Sequence, residues 1–484
     1  MRITRLLFKF GTFLLPVVPV MAQQSPEWDL KRCVEYALAN NISVKQQDVQ
    51  ARLSALTLKQ NKLNQYPTAS VGLNSGINAG RSIDPTTNQF TNQQLFFAGA
   101  SFSTNMTVFN FFNLKNTIAG NQYDYEAAKA GVDKLKNDIA LNVATAYLLV
   151  LVAQEQVDIA RVTVTQSVQN LGNTRQRVDA GSLPELNAAE AEAQLARDSS
   201  ALITNQATLE QNLLQLKAVM NVDAAMPFVV VLPPIDKIPV EPIAELDPEK
   251  VYQLALVNLP QQRANDLRIK AGQKYVSAAR GAMYPSFSLF GSMGSNYAHN
   301  KIPVYTETPT GGFAPTTAKV NVSGTDYFVQ TPIIIQSIGV KYSPLGTQLS
   351  DNFSQRIGIN VSIPLFSNGT LRTTWERNKL NLENLQLQKD QDNVTLKQNI
   401  YKAYSDAVAS LQKYEASKRS LATANKSYDF AQKRYNVGLL ATIDLLTNQN
   451  NLTTAKVNTV AAQVDYVFKI KVLEFYKGQG LKLQ

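Results

Sequence analysis

Residues 356–363 read Arg-Ile-Gly-Ile-Asn-Val-Ser-Ile, and from Leu371 to Val437 the chain carries neither glycine nor proline. The first stretch alternates. Ile357, Ile359, Val361 and Ile363 fall on one face of a strand, and Arg356, Gly358, Asn360 and Ser362 on the other. The second stretch has room for a helix of roughly 100 Å at 1.5 Å per residue, far beyond the usual ~11–12 residues. Its small and apolar residues recur at three-four spacing through Ile400, Ala403, Ala407, Ser410, Tyr414, Ser417, Leu421, Ala424, Tyr428, Ala431 and Tyr435, the seam of a coiled coil. After a short turn, Ile443, Leu446, Asn450, Thr453, Val457, Val460, Val464 and Val467 keep that spacing. An alternating strand feeding a helix too long for a globule decides the fold.

Working outward, the same pairing occurs earlier in the chain. Ala69, Val71, Leu73, Ile77 and Ala79 oppose Thr68, Ser70, Gly72, Asn74 and Asn78; Ala98, Ala100, Phe102, Met106 and Val108 oppose Gly99, Ser101, Ser103, Asn105 and Thr107. Phe287, Leu289 and Met293 oppose Ser286, Ser288, Ser292 and Asn296. A Ser/Thr/Asn/Gly face opposite an apolar one suits a wet lumen and a lipid exterior. The proline-free stretches 114–176 and 188–226 supply the weaker twin of the long helices, and short Gly-containing turns make both pairs antiparallel hairpins.

These correspondences form an internal repeat. Tyr36 to Asn40 returns as Leu254 to Asn258, and Tyr66-Pro67 as Tyr284-Pro285, at an offset of 218. Asn142 to Tyr147 resembles Asn399 to Tyr404, and Arg177 and Gly181 return as Arg434 and Gly438, at an offset of 257. The difference requires an insertion in the second half, the Pro/Thr/Gly-rich segment near Asn300 to Ser350. It is either an enlarged external loop or carries extra strand, since Thr331 to Tyr342 is β-prone. Pro227, Pro233, Pro234, Pro239, Pro242 and Pro248 exclude a continuous helix between the halves.

The expected organisation is a signal segment over 1–22, a first repeat over 23–226, a Pro-rich linker over 227–248 and a second repeat over 249–484. The first repeat has strands near 67–79 and 96–110 and a helical hairpin over 114–226. The second has strands near 285–297 and 354–365, a long external loop over 298–353 and a hairpin over 369–477. Four strands cannot close a membrane barrel, because the smallest have eight. Two copies would give eight strands with a nearly filled interior; three give twelve and leave an opening.

The remaining composition fits export. Arg2, Arg5 and Lys9 precede a short apolar run, Leu6 to Val20, with Val20-Met21-Ala22 at the cleavage positions. Beyond it no run of about 18 uncharged apolar residues is found, so no spanning helix is expected. The formal charge of +10 is spread along helices without a basic cluster, which argues against nucleic acid. One Cys (Cys33) and one His (His299) exclude an internal disulfide and a zinc set. No HExxH, GxSxG, Walker or CxxC motif occurs, and Glu190 and Glu192 lie two apart on a helix, so they do not share a face. No enzymatic function, metal or cofactor is expected. The competing readings are a periplasmic coiled-coil scaffold or adaptor without a pore, which leaves the strands unexplained, and a plain porin, which leaves the helices unexplained.

The two turns read RVDAGSLPEL (Arg177 to Leu186) and RYNVGLLATIDLL (Arg434 to Leu446). The second closely resembles the periplasmic tip motif of TolC-type outer-membrane factors, and with the duplicated layout the resemblance covers essentially the whole mature chain. It implies a mainly α fold with membrane β: a homotrimer sharing a twelve-stranded barrel, a coiled-coil periplasmic tunnel and a mixed equatorial belt. It also implies an outer-membrane location, an inner-membrane pump and a periplasmic adaptor as partners, and passive passage of cargo by efflux or type I secretion. By resemblance, Tyr435, Asp444 and Thr447 mark the periplasmic constriction. Gly181, Ser182, Leu183, Gly438 and Leu439 mark the adaptor-facing tips. Two positions depart from the family pattern: Leu440 replaces a basic residue, and Thr447 replaces a second carboxylate.

Overall fold

The computed structural model describes residues 27–83, 90–92, 94–231, 238–299, 302–305, 312–332 and 337–478. The expected signal segment 1–22 and the linker prolines Pro233 and Pro234 lie outside them. In chain order the elements are β1 (Glu27–Trp28), α1 (Leu30–Asn40), α2 (Ile42–Leu63), β2 (Thr68–Asn78), β3 (Arg81–Ile83), β4 (Phe90–Asn92), β5 (Leu95–Phe109), α3 (Asn113–Asp179), α4 (Glu185–Met220) and β6 (Val229–Val230). Then follow α5 (Pro248–Asn258), α6 (Pro260–Gly281), β7 (Ser286–Ala298), β8 (Ile302–Tyr305), β9 (Phe313–Val322), β10 (Thr325–Pro332), β11 (Ser337–Lys341), α7 (Leu345–Asp351), β12 (Ser354–Ser362), α8 (Thr370–Asn436) and α9 (Thr442–Tyr476). Contacts divide the chain into a helical unit (1–52, 126–266 and 388–484) and a sheet-bearing unit (53–125 and 267–387).

The helical unit holds two cores that are copies of each other. One packs Trp28, Cys33, Ala37, Val143, Ala146, Val150 and Leu216. The other packs Leu246, Val251, Ala255, Ile400, Ala403, Ala407 and Leu473. Each member of the second is the first's counterpart at the offsets of 218 and 257, so the sequence repeat is a repeat of packing positions. The caps repeat as well. Asp29 accepts from Arg32 N at the start of α1, and Asp247 accepts from Glu249 N and Lys250 N at the start of α5. In each half an 11-residue helix is followed, after one residue, by a 22-residue helix. Asn41 makes the first break, its side chain accepting from Ser43 N and donating to Val219 O. Pro260 opens α6 at the second, a position its fixed φ suits.

α3 and α8 each run for 67 residues without interruption. The α8 seam residues Ile400, Ala403, Ala407, Ser410, Ala431 and Tyr435 are buried. In α9 the seam differs from the sequence expectation. Leu446, Val464 and Val467 are buried as expected, but Ile443 is exposed, and Leu445, Gln449, Leu452, Ala455, Thr459 and Ala462 are buried as well. α9 contacts α8 through Thr459, whose hydroxyl donates to Ser417 O, and α3 through Gln449 and Thr453. A helix packed on two sides does not show one stripe. α4 stops at Met220, short of the pattern's reach to Met226, because Asn221 turns left-handed (φ 58).

α3 also departs from the expectation that no helix could span. It contains an 18-residue window of mean hydropathy 1.4, apolar enough by length and composition to cross a membrane. Its apolar side chains are used otherwise: Val143, Ala146, Tyr147 and Val150 fill the first core, and the Tyr147 hydroxyl donates to Val231 O.

In the sheet-bearing unit β2, β5, β7 and β12 form one antiparallel sheet in the order β12-β7-β5-β2. The register puts Val71 opposite Phe102 and Phe102 opposite Met293 on the apolar face, and Ser70, Ser103 and Ser292 in line on the other. Leu73 is 80% and Ile357 83% exposed on the apolar face, although Leu345 and Leu349 of α7 border the end of that face near Leu73. A soluble half-buried sheet would cover them, so this face is the lipid-facing one. The opposite face is less uniformly polar than the alternation suggests. The Phe97 and Phe290 rings lie against Gly76 and Gly358, where an added Cβ would stand 2.9 and 2.7 Å from a ring carbon. Both outer strands, β2 and β12, have one edge without a partner strand among the described residues.

The insertion carries extra strand. β9 and β10 form a hairpin turning through Ser323 and Gly324, both left-handed, and β8 pairs with β11. α7 then caps the end of β7 that β12 does not reach. Gln348 donates to Ala298 O and accepts from Ala298 N, and Asn352 donates to Asn296 O. Side-chain amides four apart, one on α7 and one on its C-cap residue, thus stand in for a strand edge.

The two strand-to-helix junctions share a backbone. Phe111 and Phe112 (φ 47 and 62) lead into α3, and Asn368 and Gly369 (φ 50 and 75), 257 residues on, lead into α8. Asn and Gly adopt this conformation readily, whereas Phe there costs about 1–2 kcal/mol per residue. The Phe111 ring stacks on Tyr284 at 4.9 Å, and Phe112 meets Phe109 edge-on at 5.5 Å, contacts that offset part of that cost.

Candidate functional site

The candidate site is the pair of hairpin tips in the helical unit. Both first helices end alike. Ser182 N donates to Arg177 O at 2.9 Å and Gly181 N to Val178 O at 2.8 Å; Leu439 N donates to Arg434 O at 2.8 Å and Gly438 N to Tyr435 O at 3.0 Å. Gly181 (φ 72) and Gly438 (φ 77) occupy the left-handed position that this helix ending requires. The following helices start without a side-chain cap, at Pro184 and Ala441, and carry Glu185 and Asp444 in the first turn, where the helix dipole favours a carboxylate.

The arginines of the two tips behave differently. Arg177 Nη1 reaches across to the Tyr435 carbonyl at 3.2 Å, with its guanidinium 5.2 Å from the Tyr435 ring centre. Arg434 stays on its own turn, donating to Leu439 O at 3.4 Å. The Tyr435 hydroxyl and Thr174 Oγ1 are 2.9 Å apart, and Asn187 donates to Thr442 Oγ1 at 2.7 Å. One tip is thereby tied to the other by three polar contacts.

The structure separates the three constriction candidates. Tyr435 is buried, with Ala431 and Leu445 around it and Tyr428 and Leu440 beside them. Asp444 and Thr447 stand exposed on the first turns of α9, one helical turn apart. The Thr447 hydroxyl donates to Ile443 O, and no ion pair of Asp444 occurs among the described residues. Leu440, where a basic residue was expected from the family pattern, joins the apolar cluster under Tyr435. Gly181, Ser182, Gly438 and Leu439 are exposed and Leu183 half-buried. Exposed Leu186, Val437 and Ile443 make the turns apolar at their surface.

A polar layer that sequence reasoning missed lies between α3, α4 and α9. Ser167 donates to Asp198 and accepts from Gln449; Gln449 accepts from Asn170; Gln194 donates to both Asp198 and Asn450. Gln194 and Gln449 are almost fully buried. Only Asn450 fell on the expected seam; the others became neighbours through tertiary packing. Satisfied buried amides in a coiled coil fix its register. Among the described residues no group of three or more His, Cys, Asp or Glu could hold a metal ion.

The family model for outer membrane efflux proteins matches residues 33–222 and 251–469, one segment per repeat. The chain belongs to the outer membrane efflux protein family. Relatives include the outer membrane efflux protein BepC of Brucella suis biovar 1 (strain 1330), 25% identical over 162 residues, which are 32% of this chain and 36% of BepC. The probable outer membrane lipoprotein SilC of Salmonella typhimurium is 21% identical over 436 residues, 87% of this chain and 80% of SilC. The chain thus spans about a third of one relative and four-fifths of the other. Among solved structures, CusC superposes with a TM-score of 0.74 at 15% identity over 97% of this chain and 99% of CusC. VceC of Vibrio cholerae does so with 0.71 at 14% identity over 94% and 97%. The fold, mainly helical with membrane β and an internal twofold repeat, is that of these outer-membrane channels. As a member of this family the protein resides in the outer membrane, with a large periplasmic portion.

Proposed function

We propose that the chain is the passive outer-membrane exit duct of a tripartite efflux or type I secretion system. The observation that carries this reading is the four-stranded sheet, whose apolar residues such as Leu73 and Ile357 are exposed and whose outer edges are unpaired among the described residues. Three copies close it as a twelve-stranded barrel with an open lumen. The signal segment 1–22 directs export, and the repeats 23–226 and 249–484, joined by 227–248, each supply two strands and one hairpin of a homotrimer. An inner-membrane pump supplies energy, and a periplasmic adaptor meets the exposed turns at Gly181, Ser182, Leu183, Gly438 and Leu439. Asp444 and Thr447 face the constriction, one ring of carboxylates in the trimer, while Tyr435 acts from behind by bracing the tips.

In a planar bilayer the purified protein gives low-conductance channels, and its native mass in detergent is that of three copies. A monomer extracted without detergent refutes the duct. Crosslinkers placed at the Gly438 turn capture the adaptor; capture from strand positions alone refutes the docking assignment.

A further inference from the structure

At the first strand-to-helix junction the chain bounds a cavity of about 480 Å³. Val108, Phe112, Leu114 and Ile118 form apolar walls, and Gln65 and Lys115 supply polar groups. Met106 lies on the apolar face of β5, and Val108 at the bulge where the β5–β7 register shifts, so the cavity borders the end of that apolar face. Phe112 keeps its left-handed backbone and stands 56% exposed at this rim. The Lys115 ammonium lies 5.6 Å from the Phe112 ring centre and makes no ion pair among the described residues.

The repeat supplies an internal control. The counterpart of Lys115 is Arg372, which donates to Glu376 at 3.1 Å. The counterpart of Glu376 in the first half is Ala119. The second junction therefore neutralises its own cation, and the first leaves a cation uncompensated beside an apolar cavity at the membrane border. A soluble anion would satisfy the charge but leave the apolar walls wet, and a neutral acyl chain would do the reverse.

We propose that this cavity holds an anionic phospholipid of the leaflet on the helix side of the barrel. Its phosphate sits against Lys115, and an acyl chain runs along Val108 and Met106 into the apolar band. The full-length protein in neutral detergent is titrated with phosphatidylglycerol and, separately, phosphatidylcholine, and bound lipid is counted by native mass spectrometry. One phosphatidylglycerol per chain is expected, about fivefold tighter than phosphatidylcholine. K115Q removes the cation, and A119E supplies the carboxylate that the second half already has. Each weakens phosphatidylglycerol about fivefold and leaves phosphatidylcholine unchanged. Equal retention by the unaltered protein and both variants, equal binding of the two lipids, or displacement by excess inorganic phosphate overturns the proposal.

Discussion

Replacing Tyr435 with Phe removes one hydroxyl and nothing else from the tie between the tips. The ring keeps its place beneath Arg177 and among Ala431 and Leu445. Thr174, 1% exposed, loses the hydroxyl 2.9 Å away. Leaving a buried hydroxyl unsatisfied costs about 1–3 kcal/mol; Tyr435 itself is 5% exposed, so water can relieve part of it, and about 1–2 kcal/mol is expected. That is a factor of about 5–30 in a local opening equilibrium. Hydrogen exchange reads it at the Gly438 and Leu439 amides, which bond to Tyr435 O and Arg434 O and are released only when the turn opens. Thr174→Val orphans the Tyr435 hydroxyl and should cost a similar amount. The double variant places two apolar groups in contact and should cost less than the sum, with a coupling of about 1 kcal/mol. Strict additivity, or unchanged exchange at both amides in Tyr435→Phe, refutes the claim that this contact holds the tip closed.

In the proposed trimer Asp444→Asn removes a ring of carboxylates and should weaken block by multivalent cations added on the periplasmic side of a bilayer recording; undiminished block assigns that role elsewhere. Gln348→Ala leaves both the N–H and the C=O of Ala298 without their partner, and each such loss costs about 1–3 kcal/mol. Limited proteolysis should then cut between β7 and β12 several-fold faster with the sheet intact. Burial raises the Cys33 thiol to about 12, so the thiolate is scarce at neutral and mildly alkaline pH. Maleimide should label the folded protein negligibly at pH 8 and the denatured protein fully; prompt labelling of the folded protein refutes the packing around Cys33.

The sheet and long helices were legible because each rests on a pattern written in neighbouring residues: alternation at Ile357, Ile359 and Val361, and an unbroken stretch in α8. The repeat was legible for a deeper reason. Trp28 and Leu246, or Val150 and Ala407, differ in kind but hold equivalent places in the two cores. What escaped depends on partners distant in sequence. Gln449 lies between Ser167 and Asn170, more than 270 residues away. Tyr435 reads as a constriction from its motif, yet its hydroxyl is committed to Thr174. Phe97 and Phe290 on the less apolar face follow from glycines on the next strand, and no local rule foretells a left-handed Phe-Phe pair. Gln348 carries no periodic signal, because what it replaces is a piece of strand.

The unequal reach of Arg177 and Arg434 has a consequence for counting. In the proposed trimer the repeat sets six turns around the periplasmic end, with one backbone and two kinds of side-chain arrangement in alternation. A partner that grips only the shared backbone ending finds six equivalent seats. One that grips what Arg177 builds, the turn whose carbonyl is already taken from across the gap, finds three. In the proposed assembly the number of seats thus turns on whether the partner reads the shared backbone or the side that Arg177 builds, and counting adaptors on Arg177→Lys and unaltered ducts reveals which surface it uses.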